Sequence, residues 1–179
     1  MPQARGSRLL SPVLVLLACV AAAPCLGAGP PATAAPAGIA IAGGPAPSTV
    51  LTPDALAQLP MTQITVAFGT EHGQLQAAFD GPLLWAVLDH AGAIDATRPR
   101  DQVRETVMIT GRDGYTAILA LGEIAPDFEN KQVILAERMN GQPLSPEHFR
   151  IVVPGDRRGG RSVRDVIGIA VAGAQPGLR

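Results

Sequence analysis

Five arginines crowd one short stretch of the chain. Arg150, Arg157, Arg158, Arg161 and Arg164 are interleaved there with Gly155, Gly159 and Gly160. A guanidinium fork matches the geometry of a phosphate or carboxylate, and glycines let backbone amides approach an anion closely. The stretch therefore reads as an oxyanion site. Asp156 and Asp165 lie within it and neutralise part of the charge, so a solvated loop is the competing reading. Each of the three histidines follows a carboxylate, in Glu71-His72, Asp89-His90 and Glu147-His148. Adjacent residues on a strand point to opposite faces, and none of these pairs has the helical spacing of a zinc motif, so no metal site is expected. Serine chemistry is equally poorly served. Gly160-Arg161-Ser162-Val163-Arg164 lacks the last glycine of a nucleophile elbow and places charges where that turn is tight. Tyr115, the only tyrosine, and the nearby Asp113 are candidate pocket residues.

The elements that must position these groups begin at Val50. Thr52-Pro53-Asp54 is a helix start, with a capping hydroxyl, proline in the first turn and an acid near the positive end of the dipole. The helix ends at Pro60. Thr62 to Phe68 alternates as a strand with Ile64, Val66 and Phe68 on one side, and Gln74 to Phe79 is a weaker second strand. Leu84, Val87, Leu88 and Ala91 share one face of a helix opened by Pro82 and closed by Gly92. Thr106 to Thr110 and Tyr115 to Leu119 flank Arg112-Asp113-Gly114, the turn chemistry of a hairpin. Further strands are expected at Val133 to Ala136, Arg150 to Val153 and Val163 to Val171, with Asn140-Gly141 as a turn. Strands outnumber short helices and are joined mostly by turns, which predicts an α+β fold with a mixed β-sheet.

The chain has 179 residues, 14 basic and 15 acidic, for a net charge of −1. That balance gives no footprint for a nucleic-acid partner. No carboxylate precedes Asp54, and the first part of the chain has a texture of its own. Arg5 and Arg8 precede an apolar run from Leu9 to Ala23, followed by small residues. This is the layout of a signal peptide spanning residues 1–28, cut after Ala28, and it implies a periplasmic or secreted protein. The run is too short to be retained as a spanning helix, so no integral membrane segment is expected after cleavage. The competing reading is a lipoprotein anchored at Cys19, after Leu16-Leu17-Ala18. Both cysteines, Cys19 and Cys25, lie in this leader, so cleavage leaves a chain without thiols and with a net charge of −3. Residues 29–50 are rich in Ala, Gly and Pro, uncharged, and read as a flexible spacer before a domain at 51–173 and a tail at 174–179.

Four segments in order resemble the molybdopterin-binding domain of the sulfite oxidase family. They are Phe79-Asp80-Gly81-Pro82-Leu83-Leu84; Gly111 to Tyr115 with its Asp-Gly-Tyr; Leu135 to Leu144 with Asn140-Gly141-Gln142-Pro143-Leu144; and Phe149-Arg150-Ile151-Val152-Val153-Pro154 running into Gly160-Arg161-Ser162-Val163-Arg164. The resemblance covers about Leu51 to Ala172 and implies that family's fold. It also implies that Gly160, Arg161, Ser162, Val163 and Arg164 face a molybdopterin phosphate, with Arg150 in support. Family enzymes ligate molybdenum through a cysteine just after the strand matching Thr62 to Phe68, where this chain has Val66-Ala67-Phe68-Gly69. An apolar side chain does not replace a thiolate on such a metal. Two expectations result. One is a binding protein of this fold that holds an anionic small molecule or a periplasmic protein partner without molybdenum redox catalysis. The other is a working molybdopterin-dependent oxidoreductase that holds its cofactor without a cysteine ligand.

Overall fold

The computed structural model describes residues 38–145 and 148–173. The expected signal peptide at residues 1–28, the first part of the expected spacer and the expected tail at 174–179 lie outside the described residues.

The largest sheet has five strands in the order β2-β1-β11-β5-β6. These strands are β1 (Ile39–Ala42), β2 (Thr49–Leu51), β5 (Glu105–Gly111), β6 (Thr116–Ala120) and β11 (Val166–Gly173). It is mixed: β1 runs parallel to β11, and the other neighbours are antiparallel. A four-stranded sheet joins β3 (Met61–Thr70), β4 (Gly73–Pro82), β8 (Arg138–Met139) and β9 (Gln142–Pro143). The third sheet is a ribbon of β7 (Ile134–Ala136) and β10 (Arg150–Val152). Four short helices complete the elements: α1 (Pro53–Leu56), α2 (Leu84–His90), α3 (Pro99–Gln102) and α4 (Leu121–Ile124). None of the described helices is long and apolar enough to cross a membrane.

The flexible spacer expected at residues 29–50 is corrected over its second half. Ile39 and Ile41 are fully buried, and β1 lies between β2 and β11 inside the sheet. The physical reason is the alternation Ile39-Ala40-Ile41-Ala42, which turns two β-branched side chains into the core from an otherwise small-residue segment. Other expectations match the structure closely. Thr52 Oγ1 accepts the Ala55 amide at the start of α1, and Asn140 and Gly141 both take positive φ in the turn between β8 and β9. Ile64, Val66 and Phe68 share the inward face of β3.

The ribbon organises the interior. Leu135, Ile151 and Val153 pack into one core with β1, β5, β11 and α2. Ile134, Ala136 and Val152 pack into a second core with Val66, Phe68, Ala77 and Phe79 of β3 and β4. Both faces of β7 and β10 are thus covered, which is why these strands read as continuous apolar runs rather than as an alternation. Arg150 follows the same period as Val152, so it emerges on the β3–β4 side.

Candidate functional site

The arginine loop leaves β10 at Val153, turns at Gly155 with φ of 84°, and returns to β11 at Val166. Backbone bonds fix it at several points. The Gly69 amide, at the end of β3, donates to the Arg157 carbonyl at 3.0 Å. Residues Gly159–Arg161 make one 3₁₀ turn, closed by the Ser162 amide on the Gly159 carbonyl at 3.0 Å. The Ile151 amide donates to Val163 at 2.9 Å, and the Val166 amide donates to Phe149 at 3.0 Å. Gly159 rests directly on the buried Phe68 ring: a Cβ there would lie 2.6 Å from the Phe68 Cε2 atom.

Side chains lock the loop further. Tyr115 Oη, half exposed on the hairpin, donates to the Gly160 carbonyl at 2.8 Å. Asp113 Oδ1 accepts the Tyr115 amide at 2.9 Å, so this carboxylate shapes the hairpin turn. Ser162 is buried, and its hydroxyl accepts the Val153 amide at 3.4 Å. Val163 is a core residue.

Arg161 is the most heavily bonded of the arginines. Its Nε and Nη2 donate to Asp156 at 3.0 and 2.6 Å, and its Nη1 donates to Glu123 of α4 at 2.9 Å. The hydrogen bonds it donates to Asp156, and then to Glu123, raise its already high pKa. Glu123 also accepts Lys131 Nζ at 3.3 Å and the Ala120 amide at 3.2 Å. Burial opposes the Glu123 charge, but the Arg161, Ala120 and Lys131 hydrogen bonds outweigh it and hold the carboxyl below its ordinary range.

Arg150 and Arg164 are placed differently. Arg164 is exposed, and it makes no ion pair among the described residues. Arg150 is half-buried, its guanidinium carbon 5.4 Å from the Phe79 ring centre and 5.9 Å from that of Phe68. Beside them Asp165 takes a positive φ of 51° and bonds His148 Nδ1 through Oδ1 at 2.5 Å. Of the residues singled out from sequence, the structure thus brings the loop and Tyr115 together. It turns Ser162 and Val163 inward, pairs Arg161 with Asp156 and Glu123, and leaves Arg150 and Arg164 without an ion pair among the described residues. Glu123 escaped the sequence reading, and Phe68 and Phe79, read there as strand and motif residues, were not placed beside the arginines. They come from distant elements, and nothing local marks them as neighbours of the loop.

A metal is poorly served here. The described residues contain no cysteine, and no group of three or more His, Asp or Glu residues among them is arranged to hold an ion. At the end of β3 the Phe68 ring is buried under Gly159, and the Gly69 amide is committed to Arg157. The residues present do not fit a sulfur-ligated molybdenum.

Comparison with known proteins gives a consistent picture. The family described as the oxidoreductase molybdopterin binding domain matches residues 41–177. Among solved structures, the sulfane dehydrogenase SoxCD from Paracoccus pantotrophus superimposes with a TM-score of 0.60 at 19% identity. The match covers 75% of this chain and 37% of that one, so the chain spans little more than a third of its neighbour's length. No curated protein matches.

Proposed function

The chain belongs to the oxidoreductase molybdopterin-binding domain family, and on that footing we propose that it is an exported member that takes up an anionic small molecule at the arginine loop and carries out no molybdenum redox chemistry. The observation that carries this reading is the end of β3. Where the family places a metal-ligating thiolate, this chain has Ala67, the buried ring of Phe68 and Gly69, none of which offers a side-chain lone pair. Cys19 and Cys25 both precede residue 38, and cleavage of the leader after Ala28 removes them. The binding half of the reading is supported by the loop itself. A run of backbone tied to β3, to β10 and to Tyr115 of the β5–β6 hairpin presents exposed arginines beside a half-buried one, and such preorganised donors suit an oxyanion.

The test is expression of the whole gene in a host that makes the cofactor and exports the protein, followed by metal analysis and pterin fluorescence of the purified product. The expected outcome is a folded protein with negligible molybdenum, whose melting temperature rises with added phosphate or sulfate. Stoichiometric molybdenum with a pterin signal would overturn this reading in favour of an oxidoreductase that holds its cofactor without cysteine.

A further inference from the structure

The two faces of the five-stranded sheet differ in kind. The inner face builds the larger core, through Ile41, Val107, Ile109, Leu119 and Ile169 among others. The alternate positions look outward, and where one face of such a sheet meets water they are ordinarily polar or charged. Here the outward positions of β1, β2, β5, β6 and β11 hold Ala, Gly, Thr, Val, Met and Ile, and none is charged. Met108 and Ile118 are 42% and 61% exposed, so no other element covers them. Side-chain size is also sorted across the face. Met108 and Ile118 are cross-strand neighbours on β5 and β6 and form a ridge. Beside it Gly168 and Ala170 on β11, with Ala40 and Ala42 on β1, leave a trough. The register sets Ile118, Met108, Ala170 and Ala42 in one row across the four strands.

We propose that this face docks on a second copy of the chain, in a two-fold dimer where the ridge of each copy fills the trough of the other. A two-fold interface requires one patch to complement itself, and a ridge beside its own trough meets that requirement. An axis lying in the interface along the strands, between β11 and β5, carries β6 over β1 of the second copy and β5 over its β11. Rotation about that axis keeps height along the strands, so Ile118 lands on Ala42 of the second copy and Met108 on Ala170. Two sheets stacked in this way pack about 10 Å apart with their strands nearly aligned. The absence of charge favours a like partner, since it sets no like charges against each other and offers nothing to steer a charged molecule. Strands about 4.8 Å apart with a rise of about 3.3 Å per residue give the face an area of roughly 400 Å². That is half of the about 800 Å² each partner contributes to a standard interface, so the pairing is weak and depends on concentration. None of these residues belongs to the arginine loop, and the proposal stands apart from what that loop holds.

The test is sedimentation equilibrium of the exported protein over a wide concentration range. The wild type should pass from monomer to dimer as concentration rises. Ile118→Lys, a change at a solvent-facing position, should keep the melting temperature of the dilute monomer. It should raise the dimer dissociation constant about tenfold or more, because a charge is then buried without a partner. Ala42→Glu should weaken the dimer in the same way, and the double variant Ile118→Lys with Ala42→Glu should recover it, each lysine meeting a glutamate of the other copy. If Ala42→Glu does not fold, Ile118→Lys decides the matter alone. A dimer that Ile118→Lys leaves unchanged overturns the proposal, because a different surface then joins the copies. Two weakened single variants with no recovery in the double overturn the ridge-over-trough register. A wild type that stays monomeric throughout also overturns the proposal: uptake of a hydrophobic dye that Ile118→Lys abolishes then assigns the face to a different partner, and no uptake assigns it to a segment of the same chain.

Discussion

Glu123 stands between Arg161 and Lys131 and also caps the first turn of α4 through the Ala120 amide. Its pKa is lowered in the folded protein. A carboxylate of this kind contributes stability that is present above its unfolded pKa of about 4.3 and is lost as pH falls through the lower folded value. Glu123→Gln should therefore melt below the wild type at neutral pH. The gap should close as the pH drops below about 4, and thermal melts across pH check this. A gap that persists unchanged into acid would show that the charge is not what joins loop and helix. The density of arginine and glycine from residue 150 to 164 made the loop legible from sequence alone. What remained illegible was the division of labour, because Glu123 reaches Arg161 across 38 residues of chain. Adjacent motif positions carry no mark of which guanidinium the fold has already neutralised.

At the scale of elements, β1 departs most from what its composition suggests. Ile39 and Ile41 insert beside Val107, Ile109 and Ile169 in the core, and a buried large-to-small change of this type costs about 3 kcal/mol. Ile41→Ala should lose stability of that order in a denaturant titration, whereas a spacer residue would change nothing measurable. The reason β1 is hard to read is physical. A four-residue strand next to Gly43 and Gly44 is too short for alternation to outweigh its flanks, and its partner β11 lies at the far end of the chain. By contrast β3, β4 and the β5–β6 hairpin each pair with a strand that follows in sequence. Their alternation and turn residues are local, and the sequence displays both. The continuous apolar runs of β7 and β10 were legible as strands. That the two form one ribbon was not, since their pairing depends on the returning chain.

Taken whole, the described domain has two cores that share a partition. Ile151 faces one and Val152 faces the other, from adjacent positions on β10. Loosening either core strips support from the ribbon that the other needs, so the two should melt together. Ile151→Ala and Val152→Ala should each lower one common transition, with Trp85 fluorescence and far-UV circular dichroism giving the same midpoint. Trp85 is the only tryptophan and packs against the core that contains Ile151, so a midpoint for Val152→Ala seen in dichroism but not in fluorescence would reveal two independent units. The parallel pairing of β1 with β11 has a further consequence in time. Ala40 meets Gly168 and Ile41 meets Ile169, so the middle of the largest sheet joins the first described strand to the last. Closing a loop of that length is slow compared with forming hairpins. A nascent chain can form β3–β4 and β5–β6 early, but it cannot seal this sheet until β11 has left the ribosome. Until then β5 lacks its second neighbour, and the sheet remains open along that edge.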